Sequence, residues 1–221
     1  MSGKSPEWVN LMLDAVDPRK PAVSAALEKM TKRARGIATR RTQQLGQPDA
    51  HALRVANLAA ETARRLDFSG QELEVVVEGA LLHDLGKTLV PRGILEQCRP
   101  LTRAEYVTVM QHPVWGAALV KGFVSESVLL AIRHHHEWWN GKGYPARLAA
   151  DKIPIEARIV GIADAFVAMR EERPYRPPRS QEVAIGELHQ GAGTQFDPQL
   201  VDPLIESIVM DTSPPLRALA H

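Results

Sequence analysis

Seven side chains have the types and the placement to hold metal ions: His51, the doublet His83-Asp84, His112, the pair His135-His136, and Asp164. Each has apolar neighbours. A single core histidine is ordinarily a hydrogen-bonded structural residue, but seven ligand-type residues on five helices or helix ends are hard to explain independently. A buried carboxylate without a partner is costly, and a cation removes that cost. Nitrogen and carboxylate donors without sulfur suit iron, manganese, nickel or zinc. Seven donors exceed what one ion with open positions takes. They fit two divalent ions, with Asp84 as the bridge because each of its oxygens can take one. Two ions roughly 3.5–4 Å apart suit displacement at phosphorus, where they lower the pKa of a bridging water to give hydroxide. Lys87, three residues after Asp84, can reach back to meet the phosphate charge; the alternative is an ordinary surface lysine. No Ser-His-Asp pairing, Cys-His nucleophile or phosphate-cradling glycine loop competes. For residues 83–87 taken alone, a helix end capped by Gly86 with a surface doublet is the competing reading.

These residues need helices to carry them. Apolar positions 52, 55, 56, 59, 60, 63 and 66 predict a helix from His51 to Leu66, with Asp49 as its cap. Ser69 is placed to cap a helix over 71–82 that ends in the doublet. Residues 88–91 read as extended, and 94–101 as a short element ending at Pro100. Thr102 with Glu105 forms a capping box. That helix ends near His112, which precedes a proline, and Pro113 opens the next. Further helices are predicted over 128–136, 155–169, 181–189 and from Pro198 to 209, with Ser180 capping the third. Residues 138–145 form a loop punctuated by Gly141, Gly143 and Pro145. No alternating pattern is long enough for a strand, so the fold is all-α.

The chain has 221 residues, 44% of them hydrophobic, enough for a substantial core. A helical N-terminal extension occupies 1–45, the main domain 46–210 and a proline-broken tail 211–221. The net charge of +1 gives no field that recruits nucleic acid or membrane. The single cysteine, Cys98, excludes an internal disulfide and a thiolate zinc site. With no apolar run of membrane length and no signal pattern, the expectation is a cytoplasmic protein.

Taken in order, His51, His83-Asp84-Leu85-Gly86-Lys87, His112-Pro113, His135-His136-Glu137, Gly143-Tyr144-Pro145, Ala163-Asp164 and Arg173-Pro174-Tyr175-Arg176 resemble the HD-GYP domain, a subgroup of the HD phosphohydrolase superfamily. The resemblance covers about residues 47–205. It implies an HD-domain helical bundle and hydrolysis of cyclic di-GMP to pGpG or GMP at a di- or trinuclear centre, often containing iron. By the family pattern His51, His83, Asp84 and Asp164 hold one ion, and Asp84, His112, His135 and His136 the other. Lys87 assists at the scissile phosphate. Arg173 and Arg176 contact phosphates with guanidinium forks. The loop from Asn140 through Gly143 and Tyr144 to Pro145 lines the cleft, where Tyr144 either stacks on guanine or packs the loop. His134, His189 and His221 are taken as bystanders.

Four departures bear on this. Third-metal members carry acids where Gln47 and Leu45 stand here, which predicts two metals, Asp49 being at the wrong offset. The acid often found three residues after the ligand aspartate is Val167, and Asn140 replaces a common aspartate. Two other readings stay open: a module that binds nucleotide or a partner protein without turnover, and an HD hydrolase acting on another nucleotide such as cGAMP. A homodimer or a signalling partner protein is also left open, as is the metal identity.

Overall fold

The computed structural model describes residues 50–172 and 177–210. The N-terminal extension, Leu45, Gln47, the Asp49 cap, Arg173, Arg176 and the tail lie outside the described residues.

The described residues are helical, with one isolated bridge between Ala192 and Phe196 and no strand. In chain order they form α1 (Ala50–Arg65), α2 (Gly70–Leu82), a 3-10 turn (Leu85–Leu89), α3 (Arg92–Leu95), α4 (Arg103–Val109), α5 (His112–Val120), α6 (Glu126–His134), α7 (Ile155–Arg170), α8 (Gln181–Gly191) and α9 (Pro198–Met210). No described helix is long and apolar enough to cross a membrane.

Helix α7 is the axis of the bundle and packs against α1, α2, α6, α8 and α9. Its residues Ile159, Val160, Ile162, Ala163, Phe166 and Val167 are all buried, so it is apolar on several sides, as a central helix must be. Helix α1 packs against it and buries Ala52, Ala56, Ala59, Ala60 and Ala63 in the bundle. Fully buried Leu53, Val55, Leu200 and Leu204 thicken the same core, each contributing about 1.5–3 kcal/mol over the exposed state. A second cluster joins α2, α5 and α6 through Val75, Ala117, Val120, Val128 and Ile132.

The Thr102–Glu105 capping box forms as expected, with both reciprocal hydrogen bonds present. Ser180 caps α8 through Val183 N–H. Elsewhere local chemistry overrides the sequence pattern. Ser69 occupies the cap position of α2, but its hydroxyl makes no capping bond. Gly70 turns left-handed at φ 51, and the Ser69 carbonyl takes the N–H groups of Glu72 and Leu73 instead. Of the residues 88–91 expected to be extended, Val90 and Pro91 are, but Thr88 and Leu89 are wound into the 3-10 turn, which starts where Asp84 sits at φ −96, ψ 1 and its carbonyl accepts Lys87 N–H. The element expected at 94–101 is the single turn of α3. Beyond it Arg99 is drawn to Glu105 by two hydrogen bonds of 2.8 and 2.9 Å. His112 begins α5 itself despite preceding Pro113; its ring donates to Val109 O at 2.7 Å, which holds it against the end of α4.

Gly86 is not a helix cap. A Cβ on it would lie 1.9 Å from His112 O and 2.6 Å from Gly116 N. Its role is backbone-to-backbone contact between the 3-10 turn and α5, which brings Asp84 to His112. Gly86→Ala is therefore expected to cost about 3 kcal/mol through forced backbone displacement. An unchanged midpoint in denaturant unfolding would contradict this close approach.

Candidate metal centre

Helix ends deliver the seven side chains to one place beside the middle of α7. His51 lies in the first turn of α1, His83 is the C-terminal cap of α2, His112 opens α5, and His135 is the C-terminal cap of α6. Asp164 comes from α7 itself. Neighbouring imidazole centroids lie 4.0–5.4 Å apart from His51 through His83, His135 and His112 to His136.

Three of these rings are aimed by one device. His83 Nδ1 lies 2.7 Å from Ala80 O, His112 Nδ1 2.7 Å from Val109 O, and His135 Nδ1 2.7 Å from Ile132 O. Each carbonyl is three residues earlier, in the last turn of a helix, where no intrahelical N–H is left to satisfy it. A carbonyl can only accept, so each Nδ1 carries the proton and each Nε2 is a bare lone pair.

Those lone pairs face one another and face carboxylate oxygens. His112 Nε2 stands 3.4 Å from His135 Nε2 and 3.2 Å from Asp84 Oδ1. His83 Nε2 stands 3.4 Å from Asp84 Oδ2 and 3.7 Å from Asp164 Oδ1. His83 Nε2 and Asp84 Oδ1 are buried with no aligned hydrogen-bond partner. Converging acceptors in a buried pocket repel unless a cation lies among them. The donor set thus fits divalent metal ions of borderline hardness. Three groups have ligand atoms within 4.8 Å of one another: His51, His83 and Asp84; His112, His135 and His136; and His83, His135 and Asp164. The last group bridges the other two, so His135 is within reach of both ends.

Charge follows the same geometry. Burial opposes a charged His51, but hydrogen bonds to Asp164 and Glu171 raise it to about 10. Burial likewise opposes a charged His83, and the Asp84 charge overrides it, so that pKa is raised too. His135 is pushed well below the usual imidazole range by burial and by His136; His136 is pushed down by burial and by His112. Asp84 is held well below the carboxylate range although burial works the other way, chiefly by His83 and Lys87. Asp164 is lowered against burial by its hydrogen bond from His51.

Lys87 Nζ donates to Asp84 Oδ2 at 2.6 Å while its side chain is 40% exposed, so it stands at the rim. The loop after His136 folds back onto the cluster. Tyr144 N–H donates to His136 O, and its ring centroid lies 4.9 Å from that of His136. Gly143 is buried, and a Cβ there would lie 2.2 Å from Trp138 N and 2.5 Å from His136 O. The exposed Asn140 accepts Lys142 N–H through Oδ1 and donates its own N–H to Thr194 O. Trp139 N–H donates to Gln195 O, and the Arg158 guanidinium lies 5.5 Å from the Trp139 ring.

Two carboxylates were not given roles by the sequence. Glu137 is buried and accepts the N–H groups of Ala146 and Leu148, at 2.6 and 3.0 Å, which closes the loop. His134, expected as a bystander, is buried against it with Nδ1 3.4 Å from Glu137 Oε1. Glu171 lies beside His51 Nδ1 at 3.0 Å. An acid at a helix end beside basic residues reads as surface charge; the only hint is its spacing of two helical turns from Asp164.

A family model described as "HD domain" matches residues 20–200. The cyclic di-GMP phosphodiesterase response regulator RpfG of Xanthomonas campestris is 36% identical over 156 residues, covering 69% of this chain and 41% of that protein. The 3'3'-cGAMP-specific phosphodiesterase 2 of Vibrio cholerae is 31% identical over 203 residues, covering 90% of this chain and 37% of that protein. The chain thus spans about two fifths of the length of these curated relatives. Among solved structures, an HDG"Y"P protein from Bdellovibrio bacteriovorus superposes with a TM-score of 0.63 at 18% identity, covering 91% of this chain and 68% of that one. At that identity the likeness shows the fold.

Ligation requires unprotonated nitrogen, so metal uptake must eject the second proton that His51 carries in the metal-free protein. Calorimetric Mn²⁺ titration at pH 8 in buffers of different ionisation enthalpy should report roughly one proton released. Affinity should rise with pH up to about 10, where His51 loses its proton unaided. Heats independent of buffer would contradict the cluster's role as ligand.

Proposed function

The chain belongs to the HD domain family, and from that membership we propose that it is a metal-dependent phosphodiesterase hydrolysing cyclic di-GMP to pGpG or GMP. The observation that carries this reading is the convergence of bare His83, His112 and His135 Nε2 atoms on Asp84 and Asp164. The names of relatives from two organisms support the substrate class.

Asp84 is the residue to bridge two ions, because its oxygens face different clusters: Oδ1 toward His112, and Oδ2 toward His83. His51, His83 and Asp164 complete one ligand set; His112, His135 and His136 complete the other. Divalent ions there, with iron favoured and manganese, nickel or zinc as alternatives, would acidify water and offset charge on phosphate oxygens.

The remaining groups position substrate. Lys87 presents a cation at the rim, tethered by Asp84, where an incoming phosphodiester would exchange for the carboxylate as its partner. Tyr144 offers a ring beside His136 against which a base can lie. Gly143 holds that loop close to the cluster, and Asn140 shapes its turn. Arg173 and Arg176, outside the described residues, are assigned to phosphate contact. A cavity of about 260 Å³ opens beside His135, His136 and Asp164, walled in part by Trp139, Arg158 and Gln195. It is smaller than the roughly 300–1,000 Å³ of small-molecule sites, so a cyclic dinucleotide would extend beyond it along the surface.

A second substrate, 3'3'-cGAMP, is favoured by the name of a relative that covers 90% of this chain. Replacing one guanine by adenine leaves the phosphodiester chemistry unchanged, so discrimination would rest on base contacts. The test is a panel of cyclic di-GMP, 3'3'-cGAMP and cyclic di-AMP with iron- or manganese-loaded protein under anaerobic conditions. Turnover of cyclic di-GMP is expected to lead. Asp84→Ala should lose both metal and hydrolysis, a drop of at least about 10³-fold in rate. Nucleotide binding without product in fully loaded protein would replace the enzyme reading with a binding module.

A further inference from the structure

His51 is a ligand candidate whose ring is aimed differently from its neighbours. Helix α1 is described from Ala50, and two carboxylates meet the His51 ring. Its Nδ1 instead meets the Glu171 carboxylate, with both oxygens at 3.0 Å, while Nε2 meets Asp164 Oδ1 at 3.0 Å. Glu171 is the C-terminal cap of α7, seven residues beyond Asp164, which places both acids along one face of that helix. The imidazole lies along this face and spans the two carboxylates. Val167, one turn before Glu171, is apolar and buried, so the carboxylate comes from the cap.

Glu171 is itself fixed. Arg54, one turn after His51 on α1, donates to Glu171 Oε1 through Nε and Nη2. Helix α1 therefore holds the carboxylate with one residue and is oriented by it at another. The His51 and Glu171 side chains are 13% and 22% exposed. A ligating imidazole whose other nitrogen donates to a carboxylate has its tautomer and ring plane set by that bond.

We infer that Glu171 is a positioning residue for the metal centre: it accepts the Nδ1–H of His51 and so makes Nε2, which meets Asp164, the nitrogen that faces an ion. Arg54 keeps the carboxylate in place. This rests on the metal-centre reading of the site. At His83, His112 and His135 a helix-end carbonyl performs the same task, so Glu171 completes one scheme across four imidazoles.

The test uses the full chain and Zn²⁺ alone as a diamagnetic probe. Calorimetry should show Glu171→Ala weakening one class of Zn²⁺ sites by roughly 10–100-fold. Glu171→Gln, whose amide oxygen still accepts, should recover part of that loss. Long-range ¹⁵N spectra of the Zn²⁺-loaded wild type should show His51 protonated at Nδ1, a readout that needs no variant. A bond that only supported folding would lower the melting temperature of Glu171→Ala while leaving Zn²⁺ affinity and the His51 tautomer unchanged; that result overturns the inference. So does an Nε2-protonated His51 in the loaded wild type. Wild-type protein that takes up no Zn²⁺ would instead sink the metal-centre reading on which the inference stands.

Discussion

Bare imidazole nitrogens forced together in a buried cluster are the constraint on which the rest of the structure depends. Hydrogen bonds to Ala80, Val109 and Ile132 carbonyls remove the freedom of His83, His112 and His135 to choose a tautomer. Those carbonyls are the surplus acceptors that every helix C-terminus leaves behind. A local defect of the helix becomes the device that orients a ligand. The aligned peptide dipoles at the ends of α2 and α6 also favour positive charge there.

The arrangement is unfavourable without a cation. An orphaned buried polar group costs about 1–3 kcal/mol, and both His83 Nε2 and Asp84 Oδ1 are in that position. The surrounding core has to hold the cluster together against this cost. It does so through the packing of α7 against five helices, α1 with its buried alanines among them. Cations that bind the folded protein return that cost and stabilise it further by mass action. The fold holds the seven side chains together without an ion, which is the preorganisation that the proposed displacement at phosphorus requires.

Much of this was legible in the residues. Histidines and aspartates at helix boundaries stand out because apolar periodicity stops beside them, and the Thr102 capping box needs only four residues to recognise. Gly86 was visible, but the one role the residues suggested for it was a cap, in the competing reading; the carbonyl of His112 pressed against it depends on how α5 packs. Glu137 stood in a recognised motif with no role, because its partners, Ala146 and Leu148 N–H, depend on the path of a loop. Glu171 escaped notice altogether. Its contacts to His51 and Arg54 span 120 and 117 residues of chain, and sequence patterns report neighbours one or two turns away, not pairs brought together by packing.

The account stands or falls on where cations settle. Anomalous diffraction from crystals soaked in Mn²⁺, collected at the manganese edge, locates them directly. Peaks within bonding distance of Nε2 of His83, His112 and His135, with Asp84 between two of them, are the predicted result. Density on the Nδ1 side of those rings, or a cluster without any anomalous peak, would contradict it.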